Sequence, residues 1–243
     1  MTPAPIPTGA GMTDTRDSEF RDRPLRSFGR TGGRPLSPRQ KTLMAEKLDT
    51  YRIAEGDGPL DLCAMFPGKE AFWLEIGFGG AEHMIAQAAQ NPDVGIIGCE
   101  PFLEGIAKAL GGIEETDLNN VRVWPDDARP LIARMPDQCL DRAFVLFPDP
   151  WPKRRQHKRR LVQADFLSIL HPKMKPGARL RFATDVKSYA DEALLTFVSD
   201  GRFEWLAASP DDWRCPPQDH VTTRYESKRL GDCKPVWFDF RIR

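Results

Sequence analysis

Zinc and disulfide chemistry have little to stand on in this sequence. Its five cysteines (Cys63, Cys99, Cys139, Cys215 and Cys233) are far apart, odd in number and form no C-x-x-C pair. The four histidines (His83, His157, His171 and His220) are scattered, and there is no G-x-S-x-G elbow, so neither a metal site nor a Ser-His-Asp triad is expected. No apolar run approaches the roughly 18–20 residues of a membrane span. The stretch from Met1 to Ala10, with Pro3, Pro5 and Pro7, lacks the positive-then-apolar order of a signal peptide. A reducing cytoplasm is the expected compartment, with no membrane partner. Net charge is missing as well: 35 basic side chains are matched by 35 acidic ones in 243 residues.

That balance conceals an uneven distribution, and a local patch is enough to steer a polyanion. Between Arg23 and Lys41 lie six basic residues and no acid, and between Lys153 and Arg160 six more fall in eight positions. Of the 22 prolines, six lie in the first 38 residues, together with many Gly, Ser and Thr. Such a stretch buries too little apolar surface to offset its ordering entropy, so residues 1–38 are expected to form a basic arm, disordered when free. Residues 39–243 are left as one domain, opened by a short helix over residues 40–48.

From Ala71 short apolar runs alternate with amphipathic segments. Strands are expected at 71–76, 94–99, 121–124, 142–147 and 178–183, and helices at 82–90, 102–110, 127–135, 162–170 and 187–199. Repeated βα units imply a parallel sheet with helices on both faces and ligands beyond the carboxyl ends of the strands. Candidate strands at 203–206 and 235–242 are expected to pair as an antiparallel hairpin at one sheet edge.

The segment LEIGFGGAEHM, residues 74–84, joins the first strand to the first helix. Gly77 and Gly79 would let a nucleotide-like ligand approach the backbone, but Glu82 occupies the third position of the dinucleotide pattern G-x-G-x-x-G. Glu75 would repel a diphosphate and attract a cation, such as the ammonium or sulfonium of S-adenosylmethionine. Glu100, about 20 residues on and just past the second strand, is placed to accept both hydroxyls of a ribose. Asp127 is either an acceptor for an adenine amino group or a helix cap, and Asp126 beside it is equally acidic.

The most specific feature is FPDPWPKRRQHKRR, residues 147–160. Pro148, Pro150 and Pro152 stiffen the loop that presents Asp149 and Trp151. A carboxylate matches the two adjacent donors, N1 and the 2-amino group, on the Watson–Crick edge of guanine. Trp151 is placed either to stack on a base or to pack in the core. Lys153, Arg154, Arg155, Lys158, Arg159 and Arg160 can bind several phosphates. Two later segments fit the same site: Ala183-Thr184-Asp185, and Thr223-Arg224-Tyr225-Glu226.

In this order LEIGFGG, GCEPF, Asp127-Ala128, PDPWPKRRQHKRR, ATD and TRYE resemble the bacterial tRNA (guanine-N7)-methyltransferase family. The resemblance runs from Glu75 to Glu226, and the proline-rich basic signature is its most specific part. It implies a class I methyltransferase fold of the Rossmann-like α/β kind: a seven-stranded, mostly parallel sheet with an antiparallel last strand. It also implies methyl transfer from S-adenosylmethionine to N7 of guanine 46 in the variable loop of tRNA. By matching positions it suggests Glu75, Gly77, Gly79, Glu100, Asp127 and Asp149 around the cofactor, with Asp149 catalytic. Lys153, Asp185, Thr223, Arg224, Tyr225 and Glu226 would face the substrate. Two departures stand out. Ala81 replaces a third glycine found in many members, and Gln156 stands where His is frequent. Two other classes compete: a nicotinamide-dependent dehydrogenase, which the missing third glycine and Glu75 disfavour, and an RNA-binding module with a vestigial cofactor pocket.

Overall fold

The computed structural model describes residues 35–243. The arm expected over residues 1–38 therefore lies outside the described residues except for its last four positions. Helix α1 (Pro38–Tyr51) starts at a capping box: Ser37 Oγ accepts from the Gln40 amide, and the Gln40 side chain accepts from the Ser37 amide. Pro38 takes the first helical position, where its missing N–H costs nothing. The helix outruns the expected 40–48 because this start signal precedes its apolar spacing.

Seven strands form one sheet: β1 (Ala71–Ile76), β2 (Val94–Cys99), β3 (Val121–Trp124), β4 (Leu140–Leu146), β5 (Met174–Thr184), β6 (Phe203–Trp205) and β7 (Val236–Ile242). Their order is β3-β2-β1-β4-β5-β7-β6. The first five run parallel, and β7 is antiparallel to both β5 and β6. The expected seven-stranded α/β sheet with an antiparallel last strand is thus the architecture of the chain. Helices α2 (Glu82–Gln90), α3 (Leu103–Thr116), α4 (Ala128–Arg134), α5 (Ala164–Leu170) and α6 (Lys187–Asp200) fill the connections. Among the described residues no helix is long and apolar enough to cross a membrane.

Two boundaries differ from the periodicity for physical reasons. Helix α3 continues past Leu110 through Gly111 and Gly112, and Gly112 lets α2 approach closely: a Cβ there would lie 2.9 Å from Ile85, whereas at Gly111 it would make ordinary contact with Leu43 of α1. Strand β4 ends at Leu146 because Phe147 turns to a left-handed φ of 51°.

Alternation along the strands sorts side chains to two faces. Phe72, Leu74, Ala143, Val145, Leu180, Phe182, Phe238 and Phe240 join residues of α4, α5 and α6 in the main core. On the opposite face α1, α2 and α3 cover β1 to β3 through Leu43, Met84, Ile106 and Leu110. Over β4, β5 and β7 that second face carries Phe144, Leu146, Ala183 and Trp237, together with Arg142, Arg181 and Asp239. It is crossed there by the long segment between β6 and β7, whose Asp219 bonds Arg142 and Arg181 and whose His220 packs on Trp237.

Candidate active site at the carboxyl ends of the strands

The loop after β1 is built from left-handed residues: Gly77 (φ 74°), Gly79 (φ 55°) and Ala81 (φ 66°). A Cβ at Gly77 or Gly79 would meet nothing within 4 Å, so the loop turns its backbone toward open space. Such a cradle admits a ligand at main-chain distance. The Gly77 amide ties the loop to β2 through the Cys99 carbonyl at 2.8 Å. Glu100 completes the wall, accepting from the amides of Gly79 (2.8 Å) and Phe102 (3.0 Å). Burial pushes the Glu100 carboxyl upward, these two N–H groups oppose the rise, and the charge of Asp149 adds to it. Helix α3 presses on the same loop: a Cβ at Gly105 would lie 2.4 Å from the Gly79 carbonyl oxygen. Gly105 was not legible as a site residue, and its one signal is a glycine inside a helical pattern.

Glu75 is placed differently from expectation. It is 3% exposed, and its Oε2 lies 2.7 Å from Nδ1 of His83, which is 1% exposed on α2. The His83 ring packs edge-on against Phe144 at 4.7 Å. One oxygen of the carboxylate expected to attract a cationic ligand is therefore committed to tying α2 to β1. Asp127 takes the capping alternative. Its Oδ1 accepts from the amide (2.9 Å) and Nε (3.0 Å) of Arg129, and its Oδ2 pairs with Arg129 Nη2. Asp126 is exposed and accepts from the Asp127 amide.

The loop after β4 holds two further left-handed residues, Phe147 (φ 51°) and Trp151 (φ 42°). Each costs on the order of 1–2 kcal/mol. The three prolines, with the bonds of Phe147 N to Ala183 O (2.8 Å) and Arg160 Nε to Pro150 O (2.9 Å), hold the path. Asp149 projects from it, exposed. Trp151 is half-buried, with the Arg159 guanidinium 5.0 Å from its ring centre. Residues Arg154–Arg159 form a 3-10 turn in which all four cations, like Lys153 before it, are exposed.

Arg160 departs from the expectation of a phosphate ligand. It is 2% exposed and donates to Pro150 O, Ser188 O, Ser188 Oγ and the Glu192 carboxylate. Its guanidinium also lies 4.7 Å from the Tyr189 ring centre. With its donors engaged inside the protein, it shapes the loop and is unavailable to a nucleic acid.

At the end of β5, Asp185 is buried, and its Oδ2 accepts from the Gly231 amide at 2.9 Å. Burial raises its pKa, the amides lower it, and Asp232 and Glu226 add upward pushes. The TRYE segment is a helical turn, Arg224–Ser227, closed by a capping box. Thr223 Oγ1 accepts from the Glu226 amide, and Glu226 Oε2 accepts from the Thr223 amide at 3.0 Å. Its Oε1 lies 3.0 Å from His220 Nε2. Thr223 and Glu226 thus bond each other, where acceptors for a base were expected; the T-x-x-E spacing was the available signal. Tyr225 lies 5.8 Å from the Phe147 ring, and burial with the charges of Asp185 and Asp149 pushes its phenol upward. Arg224 is exposed beside it.

Glu100, Asp149, Asp185 and Tyr225 therefore form one electrostatic neighbourhood around the glycine cradle. Among the described residues no group of His, Cys, Asp and Glu could hold a metal ion. The arrangement suits a donor-rich, cationic ligand in the cradle and a planar base gripped by a carboxylate. A cavity of about 700 Å³ lies elsewhere, toward the amino ends of β1, β4 and β5, lined by Trp73, Arg142, Arg179, Arg181 and Asp219. In that cavity the Arg142 and Arg181 charges are already met by Asp219 and Asp239. The glycine-and-carboxylate end is the better match to ligand chemistry.

Comparison with known proteins agrees with this geometry. Residues 69–238 match a family described as a putative methyltransferase. A tRNA (guanine-N(7)-)-methyltransferase of Caulobacter vibrioides is 50% identical over 217 residues, covering 89% of this chain and 95% of that protein. One from Ruegeria pomeroyi is 47% identical over 231 residues, covering 90% and 96%. Among solved structures, the 16S rRNA methyltransferase KamB superposes with a TM-score of 0.57 at 12% identity, covering 77% of this chain and 95% of that one. A variant of the 16S rRNA (adenine(1408)-N(1))-methyltransferase from Catenulisporales acidiphilia, solved with its cosubstrate SAM, reaches 0.53 at 16% identity, covering 75% and 92%. At these identities the two structures speak for the fold alone.

Proposed function

The chain belongs to the tRNA (guanine-N7)-methyltransferase family, and from that premise we propose that it methylates N7 of guanine 46 in the tRNA variable loop, using S-adenosylmethionine. The observation that carries this reading is Asp149, held on the proline-stiffened loop after β4, the strand beside β1 and its glycine loop, where its charge acts on Glu100 and Tyr225. The cradle fits the cofactor: Gly77 and Gly79 offer main chain to open space, and Glu100 stands where ribose hydroxyls need an acceptor. Glu75 and Asp127 line the same end of the sheet with part of their acceptor capacity already used. When bound, S-adenosylmethionine supplies a methyl group on a sulfonium and leaves as S-adenosylhomocysteine.

Guanine N7 has an in-plane lone pair and no proton, so no general base has to act before attack. The work of the protein is orientation and charge placement. Asp149 accepts from N1–H and the 2-amino group, turns N7 toward the methyl and favours the positive charge that develops on the base. Exposed Lys153 and Arg224 are assigned to the substrate side, and Tyr225 with Phe147 supplies an aromatic wall. Asp185 shapes the wall from behind by holding the chain at Gly231. The exposed cations Arg154, Arg155, Lys158 and Arg159 contact tRNA phosphates. Residues 39–243 act as the catalytic domain and 1–38 as a basic arm, in the cytoplasm.

The test is transfer of labelled methyl from S-adenosylmethionine to unmodified tRNA, with the modified base mapped through the lability of N7-methylguanosine. Label is expected at guanine 46 with the wild-type chain. Asp149→Ala should lower turnover by roughly 10²–10³-fold while leaving the unfolding transition in place. Normal single-turnover methylation by that variant would remove Asp149 from catalysis. Binding of both tRNA and cofactor with no label on any tRNA would favour an RNA-binding module instead.

A further inference from the structure

The segment from residue 206 to residue 235, between β6 and β7, contains only two helical turns, Asp211–Arg214 and Arg224–Ser227. Connections of that length in a packed domain are uncommon and usually serve function. Its second turn carries Tyr225 to the site, so what fixes that turn matters. One anchor stands at Asp219. Its Oδ1 accepts from Arg181 Nη1 at 2.7 Å, its Oδ2 from Arg142 Nη2 at 2.7 Å, and its carbonyl from Gln87 Nε2 at 2.9 Å. Both arginines are themselves fixed. Arg181 is bound by Asp239 of β7 at 2.8 and 2.9 Å, and Arg142 lies against Trp73 and Phe144 at 5.2 and 4.6 Å.

The next residue links the same sheet face to the 223–227 turn. His220 packs edge-on against Trp237 at 5.2 Å and brings Nε2 to Glu226 Oε1. An ionised carboxylate only accepts, so Nε2 carries the proton. The other Glu226 oxygen holds the Thr223 amide. Two sets of contacts joined by the Asp219–His220 peptide therefore tie the segment down: Asp219 to β4 and β5, and His220 through Glu226 to the turn that presents Tyr225. Ionic clamps of this kind contribute little net stability compared with apolar packing, and a well-attested use is to fix register.

We propose that Asp219 and His220 are positioning residues that set the height and rotation of the 223–227 turn, and so the recognition of the substrate nucleotide by Tyr225 and Arg224. This rests on the reading of that turn as substrate-facing. The test compares full-length Asp219→Asn, His220→Leu and His220→Gln. Gln retains an N–H donor at the place of Nε2, whereas Leu does not. Three quantities are measured: amide hydrogen exchange, steady-state methylation of tRNA, and S-adenosylmethionine binding.

His220→Leu is expected to speed exchange across residues 221–229 by about tenfold and to raise the KM for tRNA about tenfold, the loss of one charge-assisted hydrogen bond. Turnover at saturating tRNA, cofactor affinity and protection of β4 and β5 should stay within about threefold, since none of those groups moves. His220→Gln should restore both altered quantities, and Asp219→Asn should shift them in the same direction. Unchanged exchange over 221–229 in both His220→Leu and Asp219→Asn would overturn the clamp. Faster exchange with an unchanged KM would overturn its role in recognition. So would failure of His220→Gln to rescue. Tyr225→Ala separates the two readings: if it leaves KM at the wild-type value, the substrate-facing assignment fails, whereas the clamp itself is judged by exchange alone.

Discussion

Neighbouring arginines of one short stretch end in opposite situations. Arg154, Arg155 and Arg159 stand at the surface of a 3-10 turn, while Arg160, the next residue, is buried with its guanidinium shared among Pro150, Ser188 and Glu192. The first group faces solvent; the last holds the loop that presents Asp149. Buried Arg181 and half-buried Arg142 repeat the paired situation on the sheet, where they clamp Asp219. Counting cations along the chain thus overstates the exposed charge and misses the charge that shapes the site. Burial and pairing, not residue type, divide the two roles.

The largest effect should come from removing the exposed group. Replacing Lys153, Arg154, Arg155, Lys158 and Arg159 together with Ala is expected to weaken tRNA binding by at least roughly 10²-fold and to flatten the log–log salt slope by about 3–4. Cofactor affinity should stay within twofold. An unchanged slope in filter binding across a salt series would take the segment out of the interface.

Arg160→Met sharpens the contrast from the inside. It leaves the Ser188 and Pro150 carbonyls without their Arg160 donor and Glu192 with only His157 and Gln163, and a loss of about 2–4 kcal/mol in chemical denaturation is expected. The salt slope of tRNA binding should not move. A variant as stable as wild type but weaker on tRNA would return Arg160 to the exposed class.

Acid separates the buried clamp from the rest. Burial alone would raise the Asp219 pKa, but hydrogen bonds and charge from Arg181 and Arg142 outweigh it and hold the carboxyl at about 2, against 3.8 when unperturbed. A depressed carboxylate pKa contributes stability that is present above the unfolded value and lost as pH falls through the folded one. After allowance for its partial exposure, this contribution is on the order of 1–2 kcal/mol. Wild type and Asp219→Asn should therefore differ by that amount above pH 4 and converge as the pH approaches 2. Tryptophan fluorescence during urea unfolding would follow it, and a gap that persists at pH 2 would assign the effect elsewhere.

The smallest effect is expected at Ala81. Its left-handed backbone costs roughly 1 kcal/mol for a residue with a Cβ, yet its methyl is 1% exposed and packed in the second core. Ala81→Gly relieves the first term and forfeits the second, so stability should change by less than about 0.5 kcal/mol. A loss above about 2 kcal/mol in denaturant unfolding would show that packing dominates the loop.

Much of the fold was legible because its signals are local. Alternating β and α periods placed all five parallel strands, and the hairpin of β6 and β7 followed from two short apolar runs near the end of the chain. Boundaries slipped where local periodicity was not decisive: at Gly111 and Gly112, where the helix runs on with Gly112 close against Ile85 of α2, and at Phe147, whose backbone reverses. At the site, the glycine loop open to a ligand and the proline-stiffened loop could be read directly. The sharing of Glu75 with His83 and the burial of Arg160 could not, since both partners come from other elements. Thr223 and Glu226 are an intermediate case: the T-x-x-E spacing is local, but it suits two free acceptors as well as a capping box until the turn is formed.

By itself the sequence determined the element order, the left-handed glycines and the stiff loop that carries Asp149, because torsional preference and hydrophobic period act within a few residues. Only the tertiary structure decided which charges face solvent and which are consumed inside. Asp219 meets Arg142 and Arg181, and Arg160 meets Glu192, only after β4, β5 and α6 have packed. Whether a charge remains available depends on the low-dielectric surroundings and partners that packing supplies.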